Sequence, residues 1–478
     1  MKKSMLTVIS ILVLVSMFLA SCAPAAAPAE PAKPAEPAQP AEPAKPAEPT
    51  QEPAAPAAPA EKIQLKVEMS VYVEAPHKKA FDEMKAAYEK ENPNIEIVYY
   101  GAPYAEFWDK LTTEIVAGTE ADIVQLQDGT NRYSTYAALR EGETGSFLNL
   151  DSYIAGSPWE KDLLQQPELK YNGHIIGMAN YAWGARAVYY RKSLFEKAGI
   201  NAADIKTNDD FLAAAKKLTV KGTGGAPDQY GFGAVLSTHP FVWDEMKTFI
   251  CRPIGAMYFP DNKEPFDAAS VAVNSPEMQW CWQWWSDMIF KEQVVAPGSY
   301  DKANERDLFW NGTVAMNIDG PWFVGMTREK DAKLLEDLGV FASPDVVYNG
   351  TTYPFHGEIY GITHLISSKT KYPEEAWKFM EWMAGPEAQK IIAGSGMIPS
   401  NLAYSTSEEY QKMEPLNAEL AGLVSTRYKM PASVDPNIPQ LGEMGNVMVE
   451  AAQAVFITGA DVKTTLDDAA DQMKALFE

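Results

Sequence analysis

The chain has 478 residues, with 41 Lys and Arg against 64 Asp and Glu and a formal net charge of −23. So acidic a chain lacks the clustered basic residues that phosphate backbones require, which excludes nucleic acid as a partner. Hydrophobic residues at 46% and charged residues at 22% suit a globular protein with a large core. Three cysteines, Cys22, Cys251 and Cys281, are too few for a disulfide scaffold. The histidines never fall at HxH or HExxH spacing, so no metal site and no cofactor is expected.

The first residues read as an export signal: Lys2 and Lys3 supply positive charge, and Met5 to Ala20 is almost unbroken apolar chain. Leu19-Ala20-Ser21-Cys22 resembles a bacterial lipobox. That resemblance implies a signal peptide over 1–21 and diacylglyceryl transfer to the Cys22 sulfur. Residues 23–60 repeat Pro-Ala-Glu, Pro-Ala-Lys and Pro-Ala-Gln. Proline fixes φ and removes donors, so this stretch favours polyproline II over a packed core. At about 3.1 Å per residue it extends to roughly 120 Å, a spacer between a lipid surface and a folded domain over 61–478. No later apolar run is long enough to span a membrane.

From Ile63, IQLKVEMSVYV alternates as a strand. Phe81, Met84, Ala87 and Tyr88 then mark an amphipathic helix stopped by Asn92-Pro93. IEIVYYG is a second strand, Tyr104 to Gly118 a helix, and Ala121–Leu126 a third strand. This βαβαβ rhythm predicts a parallel sheet covered by helices, with ligands at the carboxyl ends of its strands. Those ends are the loops after Val73, Tyr100 and Leu126. Further on, a helix starts at Asn208 or Asp209, and Lys221–Gly233 reads as a Gly-rich flexible loop. Ser275-Pro276 opens a helix with Trp280, Trp282, Trp284 and Trp285 on two faces, most simply a buried one. A helical pair breaks at Gly385-Pro386, and the last segment is two helices parted at Thr458-Gly459. So many alternating elements exceed one sheet, so two α/β lobes are predicted.

Several motifs then occur in order. Phe309 to Trp322 follows the pattern F-x-x-G-x-x-A-M-x-x-x-G-x-W. Tyr190-Arg191-Lys192-Ser193-Leu194-Phe195 is similar to YNKxLF, with Arg191 where Asn is usual. Ser368 to Met383 is similar to SK…AWxFxxWL, with Met383 for the final Leu. Gly396-Met397-Ile398-Pro399 fits G-x-x-P, and Pro436 to Gln440 a tail motif. This ordered set resembles the extracellular solute-binding proteins of ABC importers, in the carbohydrate-binding group that includes maltose-binding protein. The resemblance runs from about Lys62 to Leu476. It implies a two-lobe periplasmic-binding-protein-like α/β fold, each lobe a sheet flanked by helices, joined by hinge strands. Lobe one would hold about 62–181 and 344–383, and lobe two about 183–342 and 385–478.

A sugar packs its C–H face on an aromatic ring and pairs its hydroxyls with carboxylates and amides. The family pattern and the strand ends together nominate Glu74, Gln127, Asp128, Trp183, Trp243, Tyr258, Trp322, Glu358 and Met397 as ligand contacts. His239 and His356 read as hydrogen-bonded loop residues. In the closest family pattern an aromatic follows the tail motif by about five residues, but here the stretch is Leu441-Gly442-Glu443-Met444-Gly445. That departs from maltodextrin specificity while leaving the sugar class. Cys251 and Cys281 lie in one lobe of an exported chain, which leaves a disulfide and an inert buried thiol both open. GxSxG, P-loop and zinc motifs are all missing, so a binder rather than an enzyme is expected. The expectation is a monomeric carrier, lipid-anchored on the extracytoplasmic face, passing a carbohydrate to an ABC permease. A non-sugar solute (peptide, polyamine or chelate) and a secreted glycosidase are the alternatives.

Overall fold

A computed structural model describes residues 62–127, 132–163, 169–223, 227–260, 263–355, 359–427, 435–436 and 438–478. The signal, Cys22 and the Pro/Ala spacer lie outside the described residues, as do Asp128 and Glu358.

The chain begins with β1 (Ile63–Glu68), α1 (Ala75–Glu91), β2 (Ile95–Tyr100), α2 (Tyr104–Ala117), β3 (Ile123–Gln127) and α3 (Arg132–Ala137). β1 pairs in parallel with both β2 and β3, as the sequence rhythm predicts. α2 ends on Gly118 in the left-handed region (φ 70°), which closes the helix without a Cβ clash. β4 (Met178–Ala185) and β5 (Ala187–Arg191) follow with a single residue, Arg186, between them, and they belong to different sheets.

Next come α4 (Asn208–Leu218), β6 (Val220–Lys221), β7 (Pro227–Phe232), α5 (Phe241–Met246), α6 (Pro276–Phe290), α7 (Lys302–Trp310), β8 (Val314–Asp319), α8 (Trp322–Lys330) and β9 (Leu338–Phe341). α4 is opened by Thr207 rather than by Asn208 or Asp209. The Thr207 hydroxyl accepts from Asp210 N–H and the Asp210 carboxylate accepts from Thr207 N–H, a reciprocal cap. The Gly-rich stretch expected as a loop contributes β7, antiparallel to β6. Gly231 makes this possible, because a Cβ there would lie 2.1 Å from the Ala215 carbonyl oxygen.

The remainder comprises a hairpin of β10 (Val346–Tyr348) and β11 (Thr351–Tyr353), β12 (Ile359–Ile366), α9 (Pro373–Ala384), α10 (Pro386–Gly394), β13 (Ile398–Pro399), α11 (Pro415–Arg427), α12 (Leu441–Thr458) and α13 (Val462–Ala475). The first sheet runs β13-β4-β12-β3-β1-β2 and the second β9-β5-β8-β7-β6.

Each sheet has its own core. Val67, Ile97, Phe81, Met84, Phe379 and Ile392 pack on the first. Phe232, Met316, Phe211, Trp282, Trp285 and Val455 pack on the second. Of the four tryptophans of α6, Trp282 and Trp285 are buried as expected, while Trp280 and Trp284 are half-buried against the edge of that core. A third cluster, including Trp183, Tyr189, Phe323, Phe355, Ile398 and Leu420, draws on both sheets and surrounds the strands that pass between them. Cys251 and Cys281 are joined in a disulfide between the segment after α5 and α6.

The segment boundaries differ from the sequence expectation by up to about fifteen residues. Trp183 to Ala185 still pair with β12, so the first crossing falls at Arg186, within a few residues of the expected 181–183. Asp345 bonds to the backbone of Lys206 and Asn208, and Val346 enters the second core. The hairpin thus belongs to the second lobe, and the return crossing comes after Phe355, not at 344. Ala388 and Ile392 of α10 are in the first core, so that lobe extends past 383 to β13. At that last boundary the apolar side chains of α10 follow the nearest core rather than the Gly385-Pro386 break.

Candidate functional site

Two groups of side chains form at the boundary between the lobes. The first is polar. Glu74 precedes α1 of the first lobe, and Arg306 on α7 of the second lobe reaches it at 3.8 Å. Arg306 also forks onto Asp319, Nε to Oδ2 at 2.7 Å and Nη2 to Oδ1 at 3.2 Å. Asp319 Oδ1 in turn accepts the indole N–H of Trp322 at 2.7 Å. Burial works against the Asp319 charge, but the cations Arg306 and Lys302 outweigh it and hold the carboxyl below its ordinary value. Burial pushes the Glu74 carboxyl up, with Arg306 pulling the other way. One turn into α1, His77 Nδ1 lies 2.9 Å from the Tyr181 hydroxyl. Burial, aided by the Arg306 charge, lowers His77 to about 3, so it is neutral.

The second group is aromatic. Tyr104 opens α2 of the first lobe and stacks on His239 of the second, centroids 5.4 Å apart and planes 17° off parallel. Phe241 closes against Tyr104 at 5.6 Å, and the Arg186 guanidinium lies 4.2 Å over the Phe241 ring. His239 Nδ1 accepts the Phe241 N–H, which leaves the proton on Nε2. Burial first, then the Arg306 and Lys302 charges, depress it to about 3. Beside this stack is a cavity of about 40 Å³ lined by Trp243, Tyr258, Lys247, Asp435, Gly445 and Asn446, among others. Trp243 Nε1–H donates to the Tyr258 hydroxyl at 3.0 Å. At the cavity's edge α3 of the first lobe meets the second, where Thr135 Oγ1–H donates to Pro439 O at 3.3 Å.

Of the nominated residues, Glu74 and Trp322 thus join the polar group, and Trp243 and Tyr258 line one cavity. Trp183 lies in the cluster around the crossings, its indole N–H buried without a hydrogen-bond partner among the described residues. Met397 is fully buried in the first core, in the same cluster as Trp322. Gln127 ends β3, with its side chain outside the described set. Sequence reasoning passed over Tyr104, Arg186, Lys247, Lys302, Arg306 and Asp319. Two of these had a signal: Tyr104 follows the carboxyl end of β2, and Asp319 ends β8 inside the quoted motif. The others come from helices and crossings whose facing partners are far away in sequence. Among the described residues no group of three or more His, Cys, Asp or Glu could hold a metal ion.

Residues 74–390 match the family model described as "Bacterial extracellular solute-binding protein". Two lobes joined by crossing strands, with facing polar and aromatic groups between them, are the architecture of a receptor that holds a solute in a cleft. The chain belongs to the bacterial extracellular solute-binding protein family. It is 26% identical over 425 residues to the maltodextrin-binding protein MdxE of Bacillus subtilis, covering 86% of this chain and 90% of that one. It is 24% identical over 420 residues to a maltooligosaccharide ABC transporter solute-binding lipoprotein of Streptococcus pneumoniae, covering 85% and 88%. The fold matches an ABC transporter solute-binding protein of Agrobacterium radiobacter K84 in complex with ribitol. That match has a TM-score of 0.73 at 20% identity over 88% of this chain and all of the other.

Proposed function

We propose that the protein captures a sugar or oligosaccharide between its lobes and delivers it to an ABC importer, held at the cell surface through lipid on Cys22. The observation that carries this reading is that aromatic rings and carboxylates both gather at the lobe boundary, Tyr104 stacked on His239 and Glu74 beside Arg306. Rings cover the C–H face of a sugar and carboxylates accept its hydroxyls. Glu74, Gln127, Asp128, Trp183, Trp243, Tyr258, Trp322, Glu358 and Met397 remain the proposed contacts, with Tyr104 and His239 added. The sugar-binding and lipoprotein relatives support the ligand class and the anchor. No helix among the described residues is long and apolar enough to cross a membrane; the proposed attachment rests on the lipobox at Leu19–Cys22.

A thermal-shift screen of mono- and oligosaccharides tests the ligand class. A true ligand at 100 times its dissociation constant stabilises the fold by about 2.7 kcal/mol. A binder also returns its sugar chemically unchanged after prolonged incubation, and released monosaccharide would reveal a glycosidase. Mass spectrometry of the mature wild type tests the anchor: an acylated N-terminal Cys22 is expected, and an unmodified chain removes it.

A further inference from the structure

Contacts between the lobes differ in how far they lie from the crossings. Close in, Gly184 of β4 packs so tightly on Pro321 that an added Cβ would lie 2.6 Å from the proline Cδ. Tyr104 lies farther out. It follows β2, the edge strand of the first sheet, four strands from β4 and so about 19 Å away at the usual strand spacing. His239, its partner in the stack, follows β7, two strands from β5 in the second sheet. Lobes that rotate about their crossings separate most at such outlying contacts, so opening has to break the Tyr104–His239 stack.

With the lobes in contact His239 is only 8% exposed. Its ring lies flat on Tyr104 and edge-on to Phe241, centroids 4.7 Å apart. Nδ1 accepts the Phe241 N–H at 3.2 Å, so a proton arriving there forfeits that bond and sets two N–H groups against each other. Arg306 and Lys302 on α7 and Arg186 at the crossing repel an imidazolium, whereas Asp301, which caps α7, attracts it. Asp244 on α5 lies beside Arg186 and Lys247, and Tyr104 is the titratable group facing the ring from α2. A cation–π contact with Tyr104 would return part of the cost. Burial outweighs it and keeps the ring neutral down to about pH 3. Parting the lobes returns the ring to water, where histidine titrates near about 6.5.

We infer that the Tyr104–His239 stack is a clasp at the lip of the cleft, which holds the lobes together while His239 is neutral and releases them when the ring takes a proton from solvent. The open form binds that proton more tightly. Closure is therefore fully favoured above about pH 6.5 and lost progressively as pH falls toward 3. Between pH 7.5 and 5.0 the ratio of closed to open molecules falls by about 30-fold. The clasp works in the same way whichever solute the cleft carries.

The test uses the mature chain without added ligand, by small-angle scattering and by NMR titration of the histidine Cε1–H signals. Wild type should show a larger radius of gyration at pH 5.0 than at pH 7.5, reversibly and with unchanged circular dichroism. His239→Asn keeps an oxygen to accept the Phe241 N–H but cannot be protonated, so its radius should not respond to pH over that range. It also assigns the His239 signal. Tyr104→Ala removes the first-lobe half of the clasp. There His239 should titrate near about 6.5, above its value in wild type, and the radius should already be enlarged at pH 7.5. A wild-type radius equal at the two pH values overturns the inference. So does a His239 that titrates near 6.5 in wild type and in Tyr104→Ala alike. If folded His239→Asn opens with acid as far as wild type does, another group such as His77, beside Glu74, is the trigger and the clasp is not the switch.

Discussion

Trp322 shows how one side chain serves two purposes. Its ring folds back over Gly320, its N–H bonds Asp319, and it is only 8% exposed while packing on the first core. A cleft aromatic treated as lying outside any core would be deleted with the fold intact. With this packing, Trp322→Ala should instead cost about 3–5 kcal/mol of stability as well as affinity. Trp322→Phe keeps a six-membered ring but loses the pyrrole half of the indole and its bond to a charged acceptor, the bond alone being worth about 1.5–3 kcal/mol. Urea unfolding of both variants separates the two contributions. Histidines matter at the same scale. His77, His239 and His364 are each lowered to about 3, chiefly by burial. His364 is further fixed by Nδ1, 2.8 Å from the Asn180 side-chain oxygen. Between about pH 6.5 and 3 the unfolded chain therefore binds more protons at these sites than the native one, so their contribution to stability falls as pH drops. From pH 6.5 to 5, His364→Gln should lose about 2 kcal/mol less than wild type, read from urea midpoints at each pH. Equal losses would mean that His364 is not neutral in the native state.

Among the helices, α12 carries the most informative position. Gly445 sits in its interior, where glycine costs about 0.5–1 kcal/mol relative to alanine. A Cβ added there meets nothing within 4 Å, so packing does not require the glycine; it lines the cavity beside Trp243 and Tyr258. Gly445→Ala should raise the melting temperature, and Gly445→Leu should fill the cavity. If that cavity takes part of the ligand, Gly445→Leu weakens binding while the fold holds or gains stability. Unchanged affinity would remove the cavity from the binding site. A separate element-level link is the Cys251–Cys281 disulfide, which closes a separation of 30 residues. In the chain-entropy model it contributes about 3–4 kcal/mol. Thiol titration of denatured protein lacking Cys22 should find no free thiol, and two reactive thiols would mean that the bridge is not formed.

For the molecule as a whole, the lobes meet through ion pairs, through the Tyr104–His239 stack and through the apolar cluster around the crossings. Lys79 meets Glu329 at 4.0 Å at the rim, and Glu74 meets Arg306 deeper in. Two rigid bodies joined this way shift toward whichever arrangement the ligand binds better. Saturating sugar should reduce the small-angle scattering radius of gyration, and Tyr104→Ala should weaken binding by removing a first-lobe ring that the second lobe stacks against. A radius unchanged by a bound sugar would argue against closure.

The sequence by itself determined the elements and the family. Alternating IQLKVE and the spacing of Phe81, Met84 and Tyr88 depend only on local periodicity, and α1, β2, α2 and β3 form close to where it places them, while β1 stops at Glu68 and Val71–Val73 turns as a 3-10 helix instead of continuing the strand to Val73. The ordered motifs and the lipobox are likewise local strings. What only the tertiary structure decided is everything that depends on two distant segments meeting. β7 exists because Gly231 lets its backbone close on Ala215, which composition alone presents as a loop. The lobe boundaries follow which core takes Val346 or Ile392, a matter of shape rather than of punctuation. The boundary site draws Glu74 and Tyr104 from one end of the chain and His239, Arg306 and Asp319 from its middle. Burial and opposing charge there set which groups are ionised, and neither quantity is defined until the lobes are packed.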